Sequence, residues 1–260
     1  MVAKTDKFNE GVTHPDMNDA VVLVTGGGRG IGAATAKLFA RCQAKVMLMS
    51  RSAHELARVV SEIKAEVGES AHVDFYAGDV SSFSDVQEVF SLIEGRWGSA
   101  SVLVNNAATI QVEPIESISL ESWQRTLDVN VTGAFLCAQR AFKGMRSAGR
   151  SGAIVNLSSL GGISGTEKFT GFCSYSVSKF ALIGMTETMA VEGREWGIRV
   201  NAVAPGAVAT KMLQDAAPFL QTKTVPEDIA RIILFLADSS QSGAISGAVI
   251  PVYSNIEASG

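Results

Sequence analysis

A tyrosine and a lysine four residues apart, Tyr175 and Lys179, are the side chains best suited to move a proton in this chain. On an α-helix this spacing places the phenol and the ammonium on one face, one turn from each other. A nearby cation favours the phenolate and lowers the pKa of a tyrosine from about 10 towards neutrality, which suits a proton donor to a carbonyl group. Tyrosine and lysine are common at this spacing, and the pair alone favours an ordinary surface contact.

A glycine-rich turn follows the apolar run at 21–24 and precedes helical apolar spacing at 31–39. Its glycines, Gly26, Gly30 and Gly32, tolerate unusual backbone angles and allow a ligand to come close. A helix that begins at about Gly30 would direct free N–H groups and the positive end of its dipole into the space above the turn. This order of strand, turn and helix predicts a cradle for the pyrophosphate of a dinucleotide. A plain connecting turn is the alternative, because the first glycine gap is wider than in Gly-x-Gly-x-x-Gly.

The elements that must position these residues alternate regularly along the chain. Further apolar runs typical of strands lie at 45–49, 72–77, 101–105, 153–157, 200–204 and 248–252. Segments with helical spacing lie at 54–67, 84–97, 120–145, 176–196 and 226–237. Strands that are apolar on both faces and alternate with helices predict an α/β fold, a single doubly wound Rossmann-type domain with about seven parallel strands flanked by helices.

Polar and turn residues follow several of the predicted strands. Asn106 and Ala107 follow the fourth strand, Ser158 and Ser159 the fifth, and Pro205 the sixth. Ligands of open α/β sheets bind beyond the carboxyl ends of the strands, near the point where the strand order reverses. These residues are therefore candidates for one site, in which a serine hydroxyl could hold a substrate oxygen.

Taken in chain order, these motifs resemble the short-chain dehydrogenase/reductase family over essentially residues 21–252. The family's glycine signature, Thr-Gly-x-x-x-Gly-x-Gly, is matched by Thr25, Gly26, Gly30 and Gly32. Its catalytic Asn-Ser-Tyr-Lys set falls on Asn130, Ser159, Tyr175 and Lys179. The segment at 205–210 matches the family segment that lies against the nicotinamide ring. The resemblance therefore implies a nicotinamide-dependent oxidoreductase.

The resemblance also implies a role for each catalytic residue. Tyr175 would be the general acid in reduction and the base in oxidation. Lys179 would lower the pKa of that phenol and bind the nicotinamide ribose. Ser159 would hydrogen-bond the reacting oxygen, and Asn130 would support a water relay to Lys179. The cofactor would supply the hydride, so that positioning and proton supply fall to the protein.

The same family pattern marks the residues that would contact the cofactor. They are Thr25, Gly26, Arg29, Gly30, Ile31, Gly32, Ser50, Arg51, Asp79, Val80, Asn106, Ala107, Tyr175, Lys179, Pro205, Gly206, Val208 and Thr210. Asp79 and Val80 resemble the family's adenine-binding pair, and a solvated helix cap is the alternative for Asp79. Thr210 would reach the nicotinamide amide.

The residues after the second predicted strand favour NADP(H) over NAD(H). An acid at this position binds the ribose hydroxyls of NAD and repels a 2′-phosphate, whereas an arginine does the opposite. Ser50 and Arg51 follow the strand here, and the next acid is Glu55. Arg29, within the glycine turn, adds a second cation on the same side. Stacking of Arg51 on the adenine is the alternative.

Three positions depart from the family pattern. Ala108 stands where the family usually has glycine, which adds a methyl group near the cofactor. The gap between the catalytic serine and tyrosine is longer than usual, so either Ser158 or Ser159 could face the substrate. We favour Ser159 because residues 160–162 align better behind it. Residues 251–255 replace the common Asp-Gly-Gly and leave the local C-terminal contacts undefined.

Composition argues against several other classes of protein. The formal net charge of −4, without a basic run, argues against a nucleic-acid partner. No apolar run approaches the roughly 18 residues that span a bilayer. The polar start at 1–19 lacks the apolar core of a signal peptide, so we expect a cytoplasmic location. We also expect residues 1–19 to form a flexible arm and residues 20–260 to form a single domain. The 3 cysteines and 3 histidines are scattered without ligand spacing, and no metal site is predicted.

The segment at 211–225 corresponds to the family's substrate lid. Its apolar members are Met212, Leu213, Ala216, Ala217, Phe219 and Leu220. They favour a neutral, fairly apolar substrate, although the same residues could simply cover the core. The sequence thus predicts an NADP(H)-dependent enzyme that interconverts a ketone and a secondary alcohol.

Two alternatives stay open for this chain. One is a 3-oxoacyl thioester reductase on the same scaffold, acting on an acyl carrier protein or coenzyme A thioester. The other is a dinucleotide-binding regulator without turnover. The resemblance also implies a homotetramer assembled through the helices that contain Asn130 and Tyr175.

Overall fold

Residues 17–254 are described by the computed structural model, and the strands among them form one parallel sheet. The strands are β1 (Val21–Thr25), β2 (Lys45–Ser50), β3 (Val73–Ala77), β4 (Val102–Asn105), β5 (Gly152–Leu157), β6 (Ile198–Pro205) and β7 (Val249–Val252). They lie in the order β3-β2-β1-β4-β5-β6-β7, and each neighbouring pair is parallel. The predicted α/β fold with about seven parallel strands is confirmed.

Helices connect the strands as the alternating pattern predicts. They are α1 (Gly30–Arg41), α2 (Ala53–Val67), α3 (Phe83–Trp97), α4 (Leu120–Leu127), α5 (Gly133–Ser147), α6 (Cys173–Gly193), α7 (Lys211–Ala216), α8 (Pro226–Ala237) and α9 (Ser239–Ser242). The segment at 120–145, predicted as one helix, is divided by a π-helical stretch at Asp128–Thr132. Helical apolar spacing does not reveal the one-residue widening of a turn that makes a π-helix.

The sheet is buried on both faces. Along β1, Val22 and Val24 pack with α1, α2 and α8, whereas Val21 and Leu23 pack on the opposite face with α3 and α5. Because alternate side chains of a strand point to opposite faces, both sets must be apolar, which explains the uninterrupted apolar runs.

The strand order reverses between β1 and β4. From β1 the chain proceeds outward to β2 and β3, then returns to β4 and builds the other half of the sheet. The loops at the carboxyl ends of these two strands therefore diverge and leave a crevice between them. The glycine turn after β1 and the Asn106 loop after β4 form its two sides.

The first described residues are attached to the domain. Of the predicted arm at 1–19, residues 1–16 lie outside the described residues, and the Met17 N–H donates to the Cys42 carbonyl at 2.9 Å. Within residues 17–254, no helix is long and apolar enough to cross a membrane.

Candidate active site

A cavity of about 1180 Å³ opens above the crevice between β1 and β4. The glycine turn lines one end, and Tyr175 and the segment around α7 line the other. All of the residues predicted to contact the cofactor line this cavity except Thr25 and Gly32. Ser159 also lines it, and Asn130 does not.

The glycine turn presents free backbone donors to the cavity. α1 begins at Gly30, whose φ of 54° lies in the left-handed region that favours glycine,. Its N-cap residue is Arg29, whose guanidinium cannot accept a hydrogen bond, so no side chain of the N-cap residue caps the first N–H groups of α1,. At the start of α2, by contrast, the Ser52 hydroxyl accepts from the Glu55 N–H. A Cβ on Gly32 would overlap the carbonyl oxygen of Gly26. Position 32 therefore requires glycine, and the N–H groups of the first turn of α1 remain available to an anion, whereas those of Gly26 and Gly27 donate to the Met49 carbonyl,.

Thr25 acts from behind the wall of the cavity. Its buried hydroxyl donates to the Val104 carbonyl at 3.2 Å and accepts from the N–H groups of Asn106 and Ala107 at 3.0 and 3.1 Å. The Asn106 amide donates in turn to the Thr25 and Gly26 carbonyls, at 2.9 and 3.2 Å. These bonds join the ends of β1 and β4, so Thr25 positions the turn rather than lining the cavity.

Charged and polar groups surround the outer part of the glycine turn. The side chains of Arg29 and Arg51 line the cavity, and the Arg29 guanidinium lies 3.8 Å from the Glu55 carboxylate. The Ser50 hydroxyl is buried without a hydrogen-bond partner. A buried, unpaired hydroxyl beside an open cavity is a group that a bound ligand can satisfy.

The carboxylate of Asp79 is already engaged within the protein. It accepts from the Ser81 N–H and hydroxyl and pairs with Arg125 at 2.9 Å. Burial alone would raise the pKa of Asp79, but these partners outweigh it and lower the pKa to about 2. Asp79 thus fastens the loop after β3 to α4, while Val80 lines the cavity beside it.

Taken together, the turn fits a dinucleotide. The uncapped start of α1 and the unpaired Ser50 hydroxyl, both at the cavity, provide hydrogen-bonding capacity for a pyrophosphate with an adjoining ribose,.

The two serines after β5 point in different directions. The Ser158 hydroxyl is buried and donates to the Lys179 carbonyl at 2.8 Å, which fastens the end of β5 to α6. The Ser159 hydroxyl lines the cavity with Tyr175 and accepts from the Gly161 N–H at 3.1 Å. The geometry therefore favours Ser159 as the hydroxyl that faces a substrate.

Tyr175 and Lys179 share one face of α6, and both line the cavity. The Lys179 amine donates to the Leu157 carbonyl at 2.6 Å and lies 5.5 Å from the centroid of the Tyr175 ring. Lys179 is only 3% exposed. The end of β5 thus holds the amine beneath the phenol.

The pKa of Tyr175 moves in the direction opposite to the one expected from the sequence. Burial raises the pKa of the phenol, and the nearby Ser159 hydroxyl only partly opposes this effect. Burial also lowers the pKa of Lys179 to about 7. The ammonium is therefore a weaker local cation than the spacing alone suggests, and Tyr175 stays protonated, as a proton donor must be.

The lowered pKa of Lys179 predicts a pH dependence of stability. Between pH 7 and the ordinary lysine pKa near 10.4, the unfolded chain binds the proton that folded Lys179 has released, so stability rises with pH. We expect this residue to add up to about 1.4 kcal/mol per pH unit to the free energy of unfolding. Urea unfolding of the cofactor-free protein at several pH values measures this slope.

Lys179→Met is expected to flatten the slope, whatever its effect on absolute stability. Lys143→Met, at an exposed position on α5, is the matched control and should keep the wild-type slope. Parallel slopes for the wild type and Lys179→Met would show that Lys179 keeps its proton in the folded protein.

Asn130 lies at the centre of the π-helical stretch and is buried. Its amide donates to the Thr109 carbonyl and the Ser178 hydroxyl, both at 2.9 Å, and its oxygen accepts from the Thr109 N–H at 2.8 Å. The side chain thus joins the loop after β4 to α6, next to Lys179. The water relay inferred for Asn130 stays a prediction, and the side-chain contacts support a positioning role.

The sequence interpretation missed several residues that line the cavity. Phe169 and Phe172 lie in the lengthened gap between Ser159 and Tyr175, and that gap was the available signal. Tyr253 and Ser254 belong to the unusual segment after β7, and the Ser254 hydroxyl donates to the Ala207 carbonyl. Of the segment at 251–255, Tyr253 and Ser254 are therefore part of the cavity wall, and residue 255 lies outside the described residues.

Fold, glycine turn and the Ser159, Tyr175 and Lys179 cluster together define a dinucleotide-dependent oxidoreductase. The family model described as short chain dehydrogenase matches residues 20–220. The chain belongs to the short-chain dehydrogenase/reductase family, whose members use a nicotinamide dinucleotide.

Named relatives carry different activities. A 3-oxoacyl-(acyl-carrier-protein) reductase of Synechocystis sp. is 37% identical over 87% of this chain and 92% of that protein. A 3-alpha-(or 20-beta)-hydroxysteroid dehydrogenase of Mycobacterium tuberculosis is 37% identical over 82% of this chain and 75% of that protein. Among solved structures, levodione reductase superposes with a TM-score of 0.83 at 31% identity, covering 90% of this chain and 96% of that one.

Proposed function

We propose that this chain is an NADP(H)-dependent oxidoreductase that interconverts a ketone and a secondary alcohol, with Tyr175 as general acid and base. The observation that carries the proposal is the convergence of two hydroxyls and an amine in one cavity. Ser159 and Tyr175 both line the cavity, and the Ser159 hydroxyl acts to lower the pKa of the Tyr175 phenol. The Lys179 amine lies 5.5 Å from the centroid of the Tyr175 ring. The same cavity includes the uncapped glycine turn.

The residues of the site divide the proton chemistry between them. When bound, the cofactor supplies the hydride in reduction and accepts it in oxidation. Ser159 and Tyr175 hold the carbonyl oxygen through their hydroxyls, and Tyr175 transfers its proton to that oxygen. When its amine is protonated, Lys179, held by the Leu157 carbonyl, stabilises the phenolate that remains,.

The preference for NADP(H) rests on two arginines at the outer end of the cavity. Arg51 follows β2 directly and Arg29 lies in the glycine turn, and both line the cavity. A guanidinium binds a phosphate through charge-assisted hydrogen bonds. Glu55 pairs with Arg29 and weakens its contribution, which leaves Arg51 as the main cation for a 2′-phosphate.

A second candidate is the reduction of 3-oxoacyl thioesters. The 37% identical relative from Synechocystis sp. bears that name, and the proton chemistry of Ser159, Tyr175 and Lys179 would be the same. The two candidates differ in the size and charge of the group attached to the reacting carbonyl.

The homotetramer also stays a proposal. Exposed apolar side chains on α5 and α6 support it, since Phe135, Val177 and Phe180 are each about two-fifths exposed. Large exposed apolar residues on neighbouring helices commonly mark contacts between subunits.

The direct test is turnover of a substrate panel by the wild-type protein. We expect NADPH to be consumed with cyclic ketones, followed by its absorbance, and consumed more slowly with an acetoacetyl thioester. Faster turnover of the thioester would favour the second candidate. Absence of turnover across the panel, despite NADPH binding, would overturn the proposal and favour a regulator that binds dinucleotides.

A further inference from the structure

Four aromatic rings form a continuous row along the cavity. The rings of Phe219 and Phe169 meet edge to face at 5.8 Å and 69°, and those of Phe169 and Phe172 at 5.8 Å and 62°. Phe172 then meets Tyr175 at 6.3 Å and 87°. All four residues line the cavity. The row therefore leads from the mouth of the cavity to the phenol that donates the proton.

Two separate segments of the chain build this row. Phe169 and Phe172 lie in the loop before α6, and Phe219 follows α7. Phe219 is 65% exposed, although its ring contacts Phe169. An exposed aromatic ring at the mouth of a cavity indicates an apolar ligand, because burying such a ring against a ligand is favourable.

The lysines at this end of the cavity are already paired. The Lys168 amine donates to the Ile163 and Thr166 carbonyls at 2.7 and 3.0 Å and lies over the Phe180 ring. The Lys211 amine pairs with Asp215 at 3.0 Å. An anionic group on the substrate would compete with these contacts, so neither amine is preorganised for a phosphate or carboxylate.

We infer that Phe169, Phe172 and Phe219, here called the aromatic wall, select an uncharged ketone whose carbonyl is carried on a ring system. A planar or nearly planar ring can extend the row of edge-to-face contacts, whereas a flexible chain must first lose its rotational freedom. The aromatic wall sets substrate preference and takes no part in proton transfer. This inference rests on the proposed ketone reduction.

The test compares 2-tetralone with 2-decanone, an open-chain ketone with the same number of carbon atoms. We expect wild-type kcat/KM to favour 2-tetralone by about tenfold or more, since one well-placed aromatic contact contributes roughly that factor. Phe219→Leu and Phe169→Leu keep an apolar side chain but remove the ring, and each is expected to remove most of the preference. Phe83→Leu, at an exposed ring on α3 outside the cavity, is the matched control.

Binding without turnover provides an independent readout. With oxidised NADP⁺ present the ketone cannot be reduced, and saturation-transfer NMR then reports 2-tetralone binding directly. We expect weaker saturation transfer with Phe219→Leu than with Phe83→Leu.

The outcomes separate this inference from the proposed function. Turnover of both ketones without ring preference, or a preference that survives both leucine variants, would overturn the aromatic wall and leave ketone reduction standing. Binding that depends on Phe219 without turnover of any ketone would support the aromatic wall and overturn the proposed function. If 2-tetralone neither binds nor is turned over, and 2-decanone is not reduced, both the aromatic wall and the proposed function are overturned.

Discussion

Tyr175→Phe is expected to lower kcat for ketone reduction about a thousandfold, within the range attributed to a single general acid. The change removes one oxygen and leaves the ring, which meets Phe172 at 6.3 Å. The Ser159 hydroxyl remains, but it then holds the carbonyl oxygen without a proton donor beside it. Because the change is confined to the proton donor, KM should change much less than kcat.

The matched control is Tyr76→Phe, which removes a phenol that donates to Glu88 at 3.0 Å outside the cavity. That variant should keep wild-type kcat. A fluorescence titration with NADPH should give similar affinities for the wild type and both variants, which shows that the glycine turn is intact. If Tyr175→Phe kept more than about a tenth of wild-type kcat, another group would have to supply the proton.

The fold followed from the sequence because parallel strands covered on both faces leave a strong local signal. Each run of apolar residues became a strand, and the helix predicted at 226–237 appears as Pro226–Ala237. Proline at the first helical position and two acids in the first turn fixed its start. The π-helical stretch at Asp128–Thr132 left no such signal, because one widened turn hardly disturbs the apolar spacing.

Most of the predicted site residues line one cavity, but their contacts could not be predicted from the sequence. Which serine faces the cavity depends on how the end of β5 docks on α6, where Ser158 donates to the Lys179 carbonyl. That contact joins residues 21 positions apart. The direction of the Tyr175 pKa was also beyond the sequence, because the spacing shows the neighbouring amine but not the burial that governs both groups,.

The aromatic wall shows the same limit. The sequence marked Phe219 as part of an apolar lid, whereas Phe169 and Phe172 lay in a gap noted only for its length. Their rings meet because the loop before α6 and the segment after α7 fold over the same cavity. Contacts between distant segments of this kind depend on tertiary structure and leave no periodic pattern in the sequence.

Arg51→Glu is expected to reduce the preference for NADPH over NADH about a hundredfold, measured as the ratio of their kcat/KM values. A hydrogen bond between a guanidinium and a phosphate contributes about 1.5–3 kcal/mol, and the new carboxylate adds repulsion. Within residues 17–254, Arg51 forms no salt bridge, so its replacement breaks no ion pair there. Glu55→Gln should shift the preference the opposite way, because it removes a negative charge from the cavity and releases Arg29.

Arg231→Glu makes the same change of net charge on α8, at an exposed residue outside the cavity that pairs with Asp228. This variant controls for the effect of net charge on cofactor binding through long-range electrostatics, which salt screens over about 10 Å at 0.1 M ionic strength. We expect this variant to keep the wild-type ratio. Equal losses for Arg51→Glu and Arg231→Glu would mean that no specific contact reads the 2′-phosphate. A wild-type preference for NADH, unchanged by Arg51→Glu, would instead assign NAD(H) as the cofactor and leave Arg51 a surface residue beside the adenine.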